Sequence, residues 1–328
     1  MEGIMTKDKV LAILAKENKY VSGEEISRRI GVSRAAVNSC VKALRSEGYE
    51  IDSVTNKGYM LISRPDALTS GAVGAYLDEE RMKSVLVLDK VDSTNKLLRE
   101  MAFDGAPQGQ VVIADEQTMG RGRMGRSFFS PKDKGIYFSY LLKPDLAPAD
   151  AVTLTAWTAV AMVRAIERVS GFRPGIKWVN DLMSGGRKLC GILTEMSIES
   201  ETGRIDSIIV GIGININNEE KDFSDEIKDI ATSIFLESGK TVPRAALAGA
   251  MIEEMDNLAS SWPDDKDEYL ALYREYDITC GRDINVISGG KTRPARSVMI
   301  NDEFSLKVRY PDGRTEDLSS GEVSLRFI

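Results

Sequence analysis

The chain has 328 residues, of which 42% are hydrophobic and 28% are charged, as is usual for soluble globular proteins of two or three domains. It contains no histidine, which excludes Ser-His-Asp and Cys-His catalysis, histidine general bases and histidine metal sites. The chemistry of this protein must therefore rest on arginine, lysine, carboxylate, amide and backbone groups.

Charge and cysteine content indicate the compartment and the kind of partner. Residues 1–64 hold 11 Lys and Arg against 8 Asp and Glu, a net charge of +3, and the remainder carries −10. The three cysteines have no metal-ligand spacing, and we find neither a signal-peptide core nor an apolar run of membrane-spanning length. We expect a reduced, cytoplasmic protein without membrane contact, whose basic head binds an anionic partner.

Residues 1–64 have the pattern of a winged helix-turn-helix domain. Helical periodicity predicts a first helix over Thr6–Glu17. A second helix follows the capping box Ser22-Gly-Glu-Glu25, a third begins after the cap Ser33, and a wing hairpin is predicted over residues 49–62. The alternative is a small helical bundle used for dimer or partner contacts. The residues predicted to contact DNA are Ser22, Ser33, Arg34, Asn38, Lys42 and Arg45.

A linker at Arg64-Pro65 precedes the second predicted domain, residues 65–275. Within it, residues 84–88 are predicted to form a buried strand. The stretch Asp92-Ser93-Thr94-Asn95 is expected to cap a helix over residues 96–102. Hydroxyl and amide groups at a helix N-terminus can also bind a ligand, but from these residues alone the capping interpretation is favoured.

The most informative stretch is residues 117–131, between strands predicted at 110–114 and 135–142. It reads Gln-Thr-Met-Gly-Arg-Gly-Arg-Met-Gly-Arg-Ser-Phe-Phe-Ser-Pro. Glycine lets backbone N–H groups turn toward an anion, and arginine adds a planar cation that matches carboxylate or phosphate oxygens. A dinucleotide-binding fingerprint would need a helix directly after the glycines, and none is predicted. The loop is therefore predicted to hold a flat anionic ligand; an ordinary basic surface loop is the alternative.

Three longer elements follow the loop. Residues 149–169 predict a long apolar helix packed across a sheet, and residues 243–260 predict an amphipathic helix. Between them, residues 208–217 predict a buried strand. Within this strand Gly211 and Gly213 suggest close approach by a ligand or by another backbone.

Lys188 stands where a Ser-Gly-Gly-Arg turn becomes a buried strand. It is either a solvated edge residue or a cation aimed into a pocket, and the residues alone favour neither. Beyond Asp283, short strands predict a small all-β module, placed in a third domain of residues 276–328. The turn signals between these strands are Gly289-Gly290, Pro311-Asp-Gly313 and Ser320-Gly321.

Taken in order, these motifs resemble those of the bifunctional biotin–protein ligases of the BirA type, which are also biotin-operon repressors. The resemblance covers nearly the whole chain. It implies an α+β protein with an N-terminal winged helix-turn-helix, a central mixed-sheet α/β catalytic domain of the biotin/lipoate ligase type and a C-terminal small SH3-like β-barrel. Besides the winged helix and the β module, it rests on Asp92-Ser-Thr-Asn95, Gln117 with Gly120-Arg-Gly-Arg-x-Gly-Arg126, Lys177-Trp-x-Asn-Asp181, Arg187-Lys-Leu-x-Gly-Ile192 and Gly211-Ile-Gly-Ile-Asn215.

The family's activity, carried over, has two steps. Biotin and Mg-ATP give biotinyl-5′-AMP, and a lysine of a biotin carboxyl carrier protein then attacks the adenylate. The resemblance also implies a homodimer that binds operator DNA when biotinyl-5′-AMP is bound.

The resemblance assigns roles to individual residues of this chain. Lys188 and Arg123 would be catalytic, and Asp181 would contact Mg²⁺. Two positions depart from the family pattern, because Val179 stands where proline is usual and Phe128 where tryptophan is usual. The implied biotin-binding residues are Ser93, Thr94, Asn95, Gln117, Arg121, Gly122, Arg123 and Lys188. The implied ATP or adenylate contacts are Arg121, Arg126, Phe128, Lys177, Asn180 and Asn215.

Two other classes of function compete with this one. A lipoate–protein ligase would share the catalytic fold, but such enzymes usually lack the winged-helix head and the full loop. A transcription factor that senses a small anion, with little ligase activity, would keep the head and the loop but would not need an activated Lys188.

Overall fold

The computed structural model describes residues 5–17, 19–63, 65–288, 290–319 and 324–327. Their order along the chain is a winged head, a domain built on a seven-stranded sheet, and a five-stranded sheet. The predicted linker residue Arg64 and the turn positions Gly289, Ser320 and Gly321 lie outside the described residues, as do residues 1–4 of the segment searched for a signal peptide.

The head has the predicted order of elements. Its helices are α1 (Thr6–Glu17), α2 (Gly23–Ile30) and α3 (Arg34–Ser46), and its antiparallel hairpin is β1 (Glu50–Val54) with β2 (Gly58–Ser63). The hydroxyls of Ser22 and Ser33 accept backbone N–H groups of their own helices at 3.1 Å each, as predicted for caps. The carboxylate of Glu25 binds Arg28 and Arg29, so ion pairs replace the second half of the predicted capping box.

The central sheet is mixed, as predicted. Its strands are β3 (Val85–Val91), β4 (Val111–Gln117), β5 (Gly135–Leu142), β6 (Gly175–Lys177), β7 (Asp181–Ser184), β8 (Arg187–Ile198) and β9 (Ile205–Asn215). Their spatial order is β3-β4-β5-β9-β8-β7-β6, and the pair β3–β4 is parallel while the other pairs are antiparallel. Strand β3, predicted to be buried, is an edge strand in which Val85 is buried and the remaining residues are more accessible.

Helices cover both faces of this sheet. They are α4 (Ser70–Gly74), α5 (Glu79–Met82), α6 (Thr94–Phe103), α7 (Leu154–Ser170), α8 (Ile234–Ser238), α9 (Arg244–Ser261) and α10 (Lys266–Tyr276). The alternation of β4 shows the two faces, because Val112 packs with Leu98 of α6 while Val111 and Ile113 join the larger core that contains α7 and α9. The sequence reading did not find α5, α8 and α10.

Helix α7 corrects one prediction. With the preceding 3₁₀ turn, Pro148–Ser170 is long and apolar enough to cross a membrane, although we expected no such run. In the fold 67% of the most apolar 18-residue stretch of this segment is buried inside the protein. Trp157 of this helix stacks on Tyr269 of α10, with 3.9 Å between the ring centroids. It is a core helix of the central domain.

A buried arginine fixes the linker to the central domain. Arg244, at the start of α9, is fully buried, and its Nε donates to Asp66 Oδ2 at 2.9 Å. The same guanidinium binds Asp115 within β4 and the carbonyl of Gly135 at the start of β5. The chain that leaves the head is thereby tied to the two strands that flank the glycine-arginine loop.

The C-terminal sheet is antiparallel, consistent with the predicted small barrel. Its strands are β10 (Asp283–Ser288), β11 (Lys291–Ile300), β12 (Leu306–Arg309), β13 (Thr315–Leu318) and β14 (Ser324–Phe327), in the order β13-β12-β11-β10-β14. Trp178 joins it to the central domain, since its backbone N–H donates to Thr279 Oγ1 at 2.8 Å and its indole N–H to the carbonyl of Phe304 at 2.9 Å.

Candidate active site

A cleft with about 480 Å³ of empty space, which includes its open mouth, lies between the start of α6, the glycine-arginine loop and strands β8 and β9. All of its charged lining residues among the described part of the chain are cations, which favours an anionic ligand. The cleft is lined by Ser93, Thr94, Asn95, Gln117, Arg121, Gly122, Arg123, Phe128, Phe138, Asn180, Lys188, Gly191, Ile192, Leu193, Gly211, Ile212 and Gly213.

Buried hydroxyl and amide groups form one end of the cleft. Gln117 Oε1 accepts the backbone N–H of Thr94 at 2.8 Å and lies 3.1 Å from its hydroxyl. The fully buried hydroxyl of Ser139 lies 2.8 Å from Thr94 Oγ1 and 2.6 Å from Asn95 Oδ1. These groups fix one another through hydrogen bonds. Such fixed groups can select a ligand by its pattern of hydrogen-bond donors and acceptors.

The capping interpretation of this stretch holds for Asp92, whose Oδ1 accepts the backbone N–H of Ser93 at 2.7 Å, but not for Ser93 and Asn95. Helix α6 begins at Thr94, two residues earlier than predicted, and the Ser93 side chain makes no capping hydrogen bond. The side chain of Asn95 is instead buried and donates to Glu195 of β8 at 2.8 Å. The side chains of Ser93, Thr94 and Asn95 therefore form a wall of the cleft.

Glycines on β8 and β9 form the floor. A Cβ at Gly211 would lie 2.1 Å from Asn95 Oδ1, and one at Gly213 would lie 2.5 Å from the Phe128 ring. A Cβ at Gly191 would lie 2.9 Å from Lys188 Nζ. The close approach predicted at Gly211 and Gly213 is thus made by side chains of the same chain, which rest on the strand backbone.

Cations converge at the other end of the cleft. Lys188 Nζ donates to Asp181 Oδ1 at 2.5 Å, and Asn180 Nδ2 lies 3.2 Å from the same oxygen. Arg123 Nη1 of the loop donates to Asn180 Oδ1 at 2.9 Å, and burial lowers the pKa of this guanidinium from its ordinary value. Lys188 was expected to be either a solvated edge residue or a cation aimed into a pocket. In the structure it lines the cleft.

The loop reaches the cleft without a helix. A 3₁₀ turn covers Arg123–Gly125, and Met124 at its tip is exposed with a left-handed φ of 58°. The backbone N–H of Gly122 donates to the carbonyl of Arg126 at 2.7 Å. The loop is therefore a tight reversal that brings Arg121 and Arg123 over the cleft, and the helix needed by a dinucleotide fingerprint is absent from these residues.

Three residues assigned to adenylate contacts lie elsewhere in the described part of the chain. Arg126 is exposed on the loop, and Lys177 lies on β6 outside the cleft lining. Asn215 is buried, and its Nδ2 donates to the carbonyl of Thr232 at 3.0 Å. All the residues assigned to biotin line the cleft, as do the adenylate residues Arg121, Phe128 and Asn180.

Several residues that line or support the cleft were not predicted from the sequence. Ser139 supports the hydroxyl end, and strand residues form much of the remaining surface. Alternation along a strand could have indicated only some of these residues, because Gly191, Ile192 and Leu193 are consecutive and neighbouring side chains point to opposite faces. The missed lining residues are Phe138, Gly191, Ile192, Leu193 and Ile212.

The head presents the predicted polar stripe on α3. Arg34, Asn38 and Lys42 are exposed, as is Arg45. The guanidinium of Arg45 donates to the carbonyl of Ile51 and, at 2.5 Å, to the hydroxyl of Ser53. Arg45 therefore fastens the wing to α3.

Comparison with known proteins agrees with this arrangement. Residues 6–60 match the family described as HTH domain, and residues 87–215 match the biotin/lipoate A/B protein ligase family. The bifunctional ligase/repressor BirA of Bacillus subtilis is 41% identical over 248 residues, which cover 75% of this chain and 76% of that protein. BirA of Escherichia coli is 30% identical over 319 residues, which cover 97% and 96%.

Solved structures extend the likeness to the fold. The biotin protein ligase of Aquifex aeolicus, solved in complex with biotin and ATP, superposes with a TM-score of 0.64 at 28% identity. The match covers 74% of this chain and 99% of that one.

Proposed function

This chain belongs to the family of BirA bifunctional ligase/repressors, and from this premise we propose how its residues divide the two activities. It is a biotin–protein ligase with a DNA-binding repressor head. As a ligase it joins biotin to ATP and passes the biotinyl group to a lysine of a biotin carboxyl carrier protein. The observation that carries our assignment of the site is a cleft lined by hydroxyl and amide groups together with three cations, of which Arg123 and Lys188 are joined through Asn180 and Asp181.

The two ends suit the two ends of biotin. The ureido group offers N–H donors and a carbonyl acceptor, which match the side chains of Ser93, Thr94, Asn95 and Gln117. The carboxylate would then lie toward Lys188. Phe128, which rests on the glycine floor, offers an aromatic face to adenine.

The first step brings two anions together. A carboxylate oxygen of biotin attacks the α-phosphorus of ATP, a new O–P bond forms, and the bond to pyrophosphate breaks. No covalent enzyme nucleophile is needed, so catalysis rests on positioning and positive charge. Lys188 contacts the biotin carboxylate and the α-phosphate in this assignment, and Arg121 and Arg123 hold the loop over the anions.

In the second step an acceptor lysine amine attacks the acyl carbon and AMP leaves. The loop arginines keep the mixed anhydride in the cleft until a carrier protein arrives. Because Arg123 is hydrogen-bonded to Asn180, loop closure and the phosphate end of the cleft are linked through these two side chains.

The donor set fits Mg²⁺ that arrives with ATP. The described residues contain no cluster of three or more histidine, cysteine or acidic groups, so a dedicated metal cage is not built there. Mg²⁺ is usually held by substrate phosphates and one or two carboxylates, and the Asp181 carboxylate beside Lys188 can supply one of them. The ion would neutralise phosphate charge.

The head carries the repressor activity. We assign Arg34, Asn38 and Lys42 to the major groove and the backbone of operator DNA. The caps Ser22 and Ser33 stand at helix N-termini, where backbone N–H groups favour phosphates. We propose that the protein binds as a homodimer when biotinyl-5′-AMP is bound, and that it works in the cytoplasm without membrane contact.

The experiment that tests the ligase site supplies ATP and Mg²⁺ with either biotin and a biotin carboxyl carrier domain or lipoate and a lipoyl carrier domain. We expect a labelled acceptor lysine with biotin and none with lipoate. Labelling by lipoate alone would make the chain a lipoate ligase, and no labelling by either would leave it a ligand-sensing transcription factor.

A further inference from the structure

Lys188 lies at an irregular point of the sheet. The pairing of β7 with β8 shifts register between Leu182 and Met183, so the regular ladder is interrupted next to it. On its other side, the pairing of β8 with β9 begins only at Cys190. Bulges of this kind redirect side chains but leave the backbone with fewer ladder partners.

Residues 230–232, which are distant in sequence, pair with the backbone of Lys188 on the side where β9 does not reach it. The backbone N–H of Lys188 donates to the carbonyl of Ile230 at 2.8 Å, and the N–H of Thr232 donates to the carbonyl of Lys188 at 2.8 Å. Together they form a parallel bridge between Lys188 and Ala231. The backbone position of Lys188 therefore depends on where residues 230–232 lie.

Thr232 fixes that segment through its remaining polar groups. It is fully buried, and its carbonyl accepts Asn215 Nδ2 at 3.0 Å. Its hydroxyl donates to Glu237 Oε1 at 2.5 Å. Asn215, which the resemblance assigns to adenylate contacts, thus helps to hold the segment that pairs with Lys188.

Glu237 also holds the turn that precedes Lys188. Its carboxylate accepts Ser184 Oγ at 2.7 Å and Arg187 Nη2 at 2.8 Å, and its side chain is 13% exposed. Burial raises the pKa of this carboxyl, but three hydrogen bonds outweigh that effect and hold the pKa below its ordinary value. One carboxylate therefore joins the turn on one side of Lys188 to the segment on the other.

We propose that Glu237 is a positioning residue for biotin activation, which holds Lys188 in place through Thr232, Ser184 and Arg187. Glu237 is not among the described residues that line the cleft, so it acts through Lys188 and not on substrate. This inference rests on the proposed role of Lys188. It also gives Arg187, the first residue of the Arg-Lys-Leu motif, a function.

The test is the Glu237→Gln variant. Glutamine keeps the size of the side chain but turns an NH₂ group toward hydroxyl and guanidinium donors, so part of the network is lost. Because misplacement of a catalytic group by about 1 Å can cost on the order of 100-fold, we expect kcat for biotinyl-5′-AMP formation to fall about 10-fold to 100-fold. KM for biotin should rise much less than kcat falls, because the side chains assigned to the ureido group keep their places. Thr232→Val, which removes one hydroxyl donor to Glu237, should also lower kcat. This variant replaces Glu237→Gln in the test if Glu237→Gln does not fold.

Glu254→Gln is the matched control. Glu254 is a buried carboxylate paired with Arg164 and Arg168, away from the cleft lining, so its variant should lose stability without the loss of kcat. If Glu237→Gln keeps wild-type kcat, the proposal is wrong. The same holds for Thr232→Val where that variant is used in its place.

A double-mutant cycle with Lys188→Ala separates positioning from general damage. In the Lys188→Ala background, Glu237→Gln should lower the residual rate less than about 2-fold. A loss as large as in the wild-type background would overturn the proposal. If Lys188→Ala itself forms adenylate at the wild-type rate, the proposed role of Lys188 fails first, and the two failures are thereby distinguished.

Discussion

At the scale of single residues, glycines decide how closely other side chains approach the cleft floor. Gly211 faces Asn95, Gly213 faces the Phe128 ring, and Gly191 faces Lys188. Each of these three side chains belongs to a different part of the proposed reaction: recognition of biotin, of adenine and of the anions. At Gly211 and Gly213 the neighbouring side chain occupies the space that a Cβ would need, whereas at Gly191 the nearest atoms belong to the movable end of Lys188.

Gly211→Ala should weaken biotin binding. The added methyl group would lie 2.1 Å from Asn95 Oδ1 and would force Asn95 away from Ser139 and Glu195. Because Asn95 is assigned to the biotin ureido group, loss of one hydrogen bond of about 1 kcal/mol to biotin corresponds to a fall in affinity of about 5-fold. Calorimetric titration with biotin measures this loss. Gly74→Ala, where the nearest atom is 3.5 Å away, is the control, and equal biotin affinity for both variants would contradict the assignment.

At the scale of elements, the glycine-arginine loop is the part expected to move. Three glycines and the exposed side chains of Arg121 and Arg126 make ordering costly, so ligand binding should be accompanied by loop ordering. Its described contacts to the rest of the cleft include the Arg123–Asn180 hydrogen bond of 2.9 Å.

Trypsin should therefore cut the loop at Arg121, Arg123 or Arg126 more slowly when biotin and ATP are bound. Cleavage at the exposed wing residue Lys57 should not respond to these ligands and serves as the control. Arg123→Gly should release adenylate faster and biotinylate unrelated proteins nearby. Equal loop cleavage with and without ligands would count against a loop that closes on the adenylate.

Local patterns predicted most elements but not their long-range contacts. Periodicity and caps predicted α1, α2 and α3 closely, because these signals lie within a few residues of one another. The start of α6 was misplaced because Thr94 and Asn95 make contacts to Gln117, Ser139 and Glu195, which no local pattern reveals. The same holds for the bridge from Lys188 to Ala231, which depends on the closed fold.

At the scale of the whole molecule, one head offers few contacts to DNA. Its net charge is only +3 over residues 1–64, and Arg45 is engaged with the wing. Two heads on half-sites about one helical turn apart would double the number of phosphate contacts. A repressor of this build should therefore need a dimer, with adenylate binding in the body favouring its formation.

The double variant Arg34→Ala/Lys42→Ala should weaken operator binding and flatten its salt dependence, because two cations near the phosphates are lost. Gel shifts at several salt concentrations measure both effects, and carrier labelling should stay at the wild-type level. Lys16→Ala/Lys19→Ala removes the same charge from two exposed positions outside the α3 stripe. If this control weakens DNA binding equally, α3 is not the recognition helix.

The central claim is that Lys188 in the cleft activates biotin, and single-turnover formation of biotinyl-5′-AMP by Lys188→Ala tests it most directly. Loss of one group that stabilises developing charge typically costs on the order of 10² to 10³ in rate. We expect a fall of that size, while Lys90→Ala, which removes an exposed lysine paired with Glu116, keeps the wild-type rate. A folded Lys188→Ala protein that forms adenylate as fast as wild type would contradict the account.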